Sequence, residues 1–399
     1  MKMLVHLAAA IVVLVTDWLI GASRTAPQRH GPIVRLVTRH PWMTAGAVAV
    51  LVGAGAALVI VAGVVPIRAS SGHWPVTAWL LDFAKVQSVR TYSLGIDPPA
   101  LGDEALVLRG AAHYAIGCEP CHGSPDEVVP PVMAAMTPPP PVLEGARLTR
   151  WNPAQLFSIV KHGIKFTGMP GWAVQQRDDE VWAVVAFLTR LPRIGNAEYR
   201  RLVDRTSGGG ALASAAPGGT PEPPATVGAI CSRCHGMDGI GRDGAFPSLA
   251  GQRAAYLHAA LRAFADRSRL SATMSEIAVR LNDGEMRAIA AFYEQLPGRV
   301  PATSDPEAAS AGMTIAHRGV PERDIPACVE CHGPSATPRN PAYPKLAGQH
   351  ARYLVQQLDL LKQRRRGGSP RVNLMHAVVD RLQPADIQGV ARYYASLPP

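Results

Sequence analysis

Two long apolar stretches open the chain, and short amphipathic segments separated by Gly- and Pro-rich loops follow. Residues 3–22 are mostly apolar but contain Asp17, and residues 43–65 run from Met43 to Val65 without a charge. At ~1.5 Å per residue the second stretch is long enough to cross ~30 Å of hydrocarbon, so the pattern predicts a membrane-spanning helix there. Residues 3–22 form a possible second span. No small-x-small site follows residue 65, which argues against a cleaved signal peptide. Arg24, Arg29, Arg35 and Arg39, with His30 and His40, lie between the two stretches. Positive charge stays on the cytoplasmic side, so everything after Pro66 is expected on the outer face.

Helical periodicity continues beyond the apolar stretches. Val76, Trp79, Leu80, Phe83 and Val86 share one face of a helix expected over 73–90, with Pro75 in its first turn. This face fits a membrane interface or a neighbouring domain equally well. Asp103-Glu104 marks another helix start. Gly110 on that helix allows close crossing by a C-terminal helix, Asp178 to Leu191, whose inner face carries Val181, Val184, Val185 and Leu188. Residues 207–228 are rich in Gly, Pro, Ala and Ser and read as a linker. The expected organisation is an anchor at 1–66, a juxtamembrane segment at 67–102, a domain at 103–196, a linker at 197–228, and domains at 229–300 and 308–399. The linker is expected to let the first domain move relative to a fixed pair.

Each of the three domains carries one pentapeptide. It reads Cys118-Glu-Pro-Cys121-His122, Cys231-Ser-Arg-Cys234-His235 and Cys328-Val-Glu-Cys331-His332, and these sites use all six cysteines. Cys-x-x-Cys-His is the attachment signature of c-type haem. Two thiols one turn apart each form a thioether to the porphyrin, and the adjacent histidine reaches the iron. A disulfide, a thioredoxin-like site or a zinc site are the rivals. The first two do not explain a histidine after every second cysteine, and zinc needs a fourth ligand. A second regularity supports haem. Met169, Met274 and Met375 each stand 23 residues before the proline of a helix-ending Leu-Pro, at Pro192, Pro297 and Pro398. Methionine is a common distal ligand of haem iron. Met133 and Met136 lie outside this spacing. His376 is an alternative to Met375.

A short helix, the pentapeptide, a Pro-x-Leu loop, a methionine loop and an apolar last helix together resemble the class I cytochrome c fold, once per repeat. Repeats two and three resemble tandem dihaem cytochromes of the c4 type. Phe246-Pro-Ser-Leu-Ala-Gly-Gln252 matches Tyr343-Pro-Lys-Leu-Ala-Gly-Gln349, each followed by Ala-x-Tyr-Leu. That resemblance covers roughly residues 225–399. Repeat one, with Pro138 to Pro141 and Gly168-Met-Pro-Gly-Trp172, resembles a monohaem cytochrome c. The resemblance implies a mainly α chain of three tandem domains after a transmembrane helix. It also implies three covalent haem c groups, with His122, His235 and His332 as proximal iron ligands. The carbonyl near Pro141, Pro247 and Pro344 then receives each proximal histidine's N–H.

The net charge of +10 becomes about +6 beyond residue 66, and six haem propionates offset much of it. No nucleic-acid role follows. The run Lys362 to Arg366 reads as a docking patch or a solvated helix end. Iron closed by His and Met has no open position for substrate, so the expected function is electron transfer without catalysis. The expected partners are a dehydrogenase or quinol-oxidising complex on one side and a terminal oxidase or soluble cytochrome on the other. The expected location is the cytoplasmic membrane of a bacterium, with the haem domains in the periplasm. A cytochrome subunit of a membrane-bound dehydrogenase and a haem peroxidase are the alternatives.

Overall fold

The computed structural model describes residues 41–63, 68–125, 127–143, 145–203, 222–301, 306–334, 340–368 and 371–399. The described residues are helical, with two isolated bridges, Ser124 to Glu127 and Val320 to Ile325, and no strand. The chain divides into two compact units, Met1–Ser71 and Gly72–Pro399. In the first, helix α1 (Pro41–Val61) contains no charged residue, and Leu51, Leu58 and Ile60 are exposed. Among the described residues no helix is long and apolar enough to cross a membrane. The span expected over 43–65 therefore forms as a helix but is without support as a crossing. Residues 3–22 and the arginine-rich stretch after them lie outside the described residues.

Repeat one is built from α2 (Pro75–Tyr92), α3 (Glu104–Gly117), α4 (Pro153–His162), α5 (Asp178–Arg190) and α6 (Asn196–Leu202). Asp103 caps α3 by accepting the Ala105 N–H at 2.8 Å. Asn152 and Gln155 close a capping box on α4. α5 starts with Asp178, Asp179 and Glu180 and ends with Arg190, which complements its dipole. Its apolar face buries Val181, Val184, Val185 and Leu188 as the periodicity predicts. The crossing of α3 and α5 depends on Gly110, because a Cβ there would stand 1.9 Å from the Ala183 carbonyl oxygen. Tyr114 and Phe187 pack at 5.2 Å beside this crossing, and Tyr199 of α6 packs against both rings. α2 touches α4, yet Val76, Trp79, Leu80 and Phe83 stay exposed.

Repeat two contains α7 (Ala254–Ala265), α8 (Ala272–Ala278) and α9 (Asp283–Gln295). Repeat three contains α10 (Pro306–Arg318), α11 (Ala351–Lys362), α12 (Val372–Arg381) and α13 (Pro384–Ser396). The α3–α5 crossing recurs between α10 and α13, where a Cβ on Gly312 would meet the Gly389 carbonyl at 2.0 Å. The two repeats interlock through their matching glutamines. Gln349 accepts from Ser248 N and donates to Ser248 O, both at 2.9 Å. Gln252 does the same with Lys345 N and O, also at 2.9 Å. Arg253 and Arg299 add bonds to the carbonyls of Asn340 and Gly348, each at 2.7 Å.

Repeat one does not float free of this pair. Asp178 faces Arg365 at 3.6 Å, Asp179 accepts from Gln356 at 2.7 Å, and Asp103 pairs with Arg352. Arg242 of repeat two donates to the carbonyls of Arg201 and Leu202 at 2.7 and 3.2 Å. Charged side chains on both surfaces thus find partners across the gap between the first domain, expected to move, and the pair. Most of the stretch read as linker, residues 204–221, lies outside the described residues. Its start forms α6, with Tyr199 and Leu202 buried.

Candidate functional site

Each pentapeptide folds as one helical turn: Glu119–His122, Ser232–His235 and Val329–His332. Bonds from His122 N to Cys118 O at 2.9 Å and from His332 N to Cys328 O at 3.0 Å close two of the turns. The two thiols of each motif thus leave the backbone from one side. The next residue is glycine each time, with φ of 69°, 76° and 71°, so the chain reverses where other side chains are strained. None of the six cysteines is in a disulfide. Burial pushes the Cys118 thiol up to about 12, and Cys231 and Cys328 up to about 11. Redox-active dithiols need the opposite shift, toward the thiolate. Among the described residues, no group of three His, Cys, Asp or Glu is placed to hold a bare metal ion.

The histidines are oriented alike. His122 Nδ1 stands 2.8 Å from Pro141 O, His235 Nδ1 3.1 Å from Pro247 O, and His332 Nδ1 2.9 Å from Pro344 O. A carbonyl can only accept, so Nδ1 carries a proton, and in the neutral ring Nε2 is then the nitrogen with a lone pair. Burial holds His235 and His332 below the usual imidazole range, which favours the neutral ring.

A cavity of about 1260 Å³ opens onto the first two motifs. Cys118, Cys121, His122 and Met169 line it from repeat one, and Cys231, Cys234, His235 and Met274 from repeat two. Its volume exceeds the ~1,000 Å³ upper range of small-molecule pockets. The third set is not gathered there. Met375 packs beside Ile325, Leu361 and Val379. His376 Nε2 lies 3.3 Å from Arg366 O. Residues 335–339 and 369–370, between His332 and Met375, lie outside the described residues. Met136 lines the cavity too, and Met133 Sδ rests 3.8 Å from Cys121 Sγ. The basic run 362–366 is engaged within the fold. Lys362 donates to Leu382 O, Arg364 pairs with Asp380, and Arg366 reaches the Tyr256 hydroxyl at 3.1 Å.

The periodicity and spacing did not single out His113, Arg177 or Glu180, yet all three line this cavity. Only burial of polar groups far apart in sequence reveals them.

The profile described as cytochrome C oxidase, cbb3-type, subunit III matches residues 105–188 and 220–292, and the one described as cytochrome c matches 324–398. A thiosulfate dehydrogenase electron acceptor from Thiomonas intermedia is 41% identical over 192 residues, which are 47% of this chain and 88% of the relative. The chain belongs to the cytochrome c family. A second thiosulfate dehydrogenase electron acceptor, from Stutzerimonas stutzeri, is 39% identical over 42% of this cytochrome and 78% of the relative. Cytochrome c4 from Thiocapsa roseopersicina is 35% identical over 42% of this cytochrome and 87% of the relative.

Cytochrome c domains hold haem c covalently, with its iron, and this cytochrome's donor set fits that group. Paired thiols precede an imidazole held by a proline carbonyl in each motif. The hydroxyls of Tyr293 and Tyr394 are buried without a partner on the last helices of repeats two and three. Burial pushes both phenols well above their usual range, so each stays a neutral donor available to a bound polar group.

Proposed function

We propose that this cytochrome c is a three-haem electron-transfer protein, relaying electrons between a membrane or dehydrogenase donor and an outer-face acceptor such as a terminal oxidase or soluble cytochrome. The observation that carries this reading is the repeated geometry of the three motif histidines against their proline carbonyls. Haem c supplies reversible one-electron chemistry when bound. Cys118 and Cys121, Cys231 and Cys234, and Cys328 and Cys331 would anchor it. His122, His235 and His332 would offer Nε2 as the iron ligand. Met169, Met274 and Met375 would supply a second protein ligand to the iron and keep substrate and oxygen out. A thioether partner also favours a higher potential than a second imidazole. Attachment to the cytoplasmic membrane with a periplasmic outer part belongs to this reading. It rests on the sequence pattern alone, an uncharged apolar stretch after an arginine-rich one.

A second reading is favoured by the two relatives named as thiosulfate dehydrogenase electron acceptors. Here the chain is the acceptor subunit of a dehydrogenase complex and takes electrons released from thiosulfate. Mixing the oxidised protein with a thiosulfate dehydrogenase catalytic subunit and thiosulfate tests it. Haem reduction that needs both additions is expected. No reduction by that pair, in a sample that ascorbate reduces, would remove this reading and leave the general carrier.

A further inference from the structure

Glu180 stands between the two methionine segments that face the cavity. It is 5% exposed and sits in the first turn of α5. One oxygen, Oε2, accepts the Trp172 indole N–H at 3.4 Å and the Ala272 backbone N–H at 2.9 Å. Trp172 follows Met169 by three residues, and Ala272 precedes Met274 by two. Glu180 Oε1 lies 3.2 Å from Arg177, whose guanidinium also donates to the Leu270 carbonyl. His113 Nδ1 is 2.5 Å from Thr273 Oγ1, and the His113 ring meets Trp172 edge-on at 5.4 Å. Residues 270, 272 and 273 of repeat two are thus each bonded to a side chain of repeat one. Within repeat two the same segment is held by Ser271, whose hydroxyl accepts the Met274 N–H at 3.3 Å.

We propose that Glu180 is a positioning residue for both distal methionines, and that repeat one thereby sets the ligation of the haem in repeat two. The proposal rests on the three-haem reading above. A thioether is a neutral, weak ligand, so its hold on iron depends on how firmly its segment is placed. Removing the carboxylate leaves two N–H donors, at Trp172 and Ala272, without their buried acceptor. Glutamine at the same position retains an oxygen that both donors can reach.

The test is Glu180→Ala beside Glu180→Gln in the full chain. Covalent haem count, reduction potentials, carbon monoxide binding to the reduced form and the ferric methionine charge-transfer band are measured on each. Glu180→Ala is expected to retain its covalent haems. Two potentials shift downward, those two haems bind carbon monoxide, and their charge-transfer intensity is lost. Glu180→Gln restores the band and closes both haems again. Thr273→Val removes the His113 contact from the repeat-two side, leaves repeat one intact, and is expected to shift one potential only. Wild-type potentials in Glu180→Ala or in Thr273→Val would overturn the proposal, as would an equal shift of all haems in Glu180→Ala. Fewer than three covalent haems in the unaltered chain would instead sink the three-haem reading.

Discussion

The proline carbonyls opposite His122, His235 and His332 decide which ring nitrogen is free. The resemblance to cytochromes c implied this arrangement at Pro141, Pro247 and Pro344, and the structure places all three carbonyls within 3.1 Å. Methionine identity is the next property at this scale. Met274→His is expected to lower the potential of one haem while the covalent haem count stays unchanged. Potentials identical to the wild type would remove Met274 as a ligand. Asp179 gives a pH prediction. Burial raises its pKa, but the hydrogen bond and charge of Arg177, helped by Gln356, outweigh that and hold it below the usual carboxylate range. A lowered folded value means that its stabilisation is fully present above the unfolded pKa of ~3.9 and is lost as pH falls through the folded one. Hydrogen-exchange protection in the first turn of α5, taken relative to the intrinsic rate at each pH, should therefore fall below about pH 4, and less so in Asp179→Asn. Equal acid sensitivity in both proteins would contradict this account.

Among the elements, the crossing of first and last helices was legible in repeat one because α5 carries an unbroken apolar stripe and α3 offers Gly110. The same crossing in repeat three, through Gly312 and Gly389, follows the same logic. Gly110→Ala must push the Ala183 carbonyl away and is expected to destabilise repeat one by roughly 1–3 kcal/mol. An unchanged melting temperature would show that the helices can separate at no cost. α6 was harder to read. Seven residues with Arg200 and Arg201 give too short a period to stand out, and only Tyr199 and Leu202 make contact with the core. The exposed face of α2 remained ambiguous for a related reason, since an amphipathic stripe names a buried face but not what covers it.

The whole molecule was least legible where repeats meet. Hydrogen bonds such as Glu180 to Ala272 join residues 92 apart in sequence, and nothing in local pattern marks them. The glycine-rich linker pointed to independent motion, whereas ion pairs and buried polar contacts hold repeat one on the pair. Exposed pairs among them, such as Asp103 with Arg352, contribute less than about 1 kcal/mol each. The buried set around Arg177 and Glu180 therefore carries most of the polar attachment. The three Cys-x-x-Cys-His motifs, by contrast, stand out in the sequence, because the residues that attachment chemistry needs are adjacent there. The central claim is that three closed haem sites sit on one chain. It is tested most directly by counting covalent haem in the intact protein and in Cys328→Ala/Cys331→Ala, with carbon monoxide added to the reduced forms. The account predicts three haems falling to two, with no carbon monoxide binding in the intact protein. Three haems retained in the variant, or carbon monoxide bound to the intact protein, would contradict it.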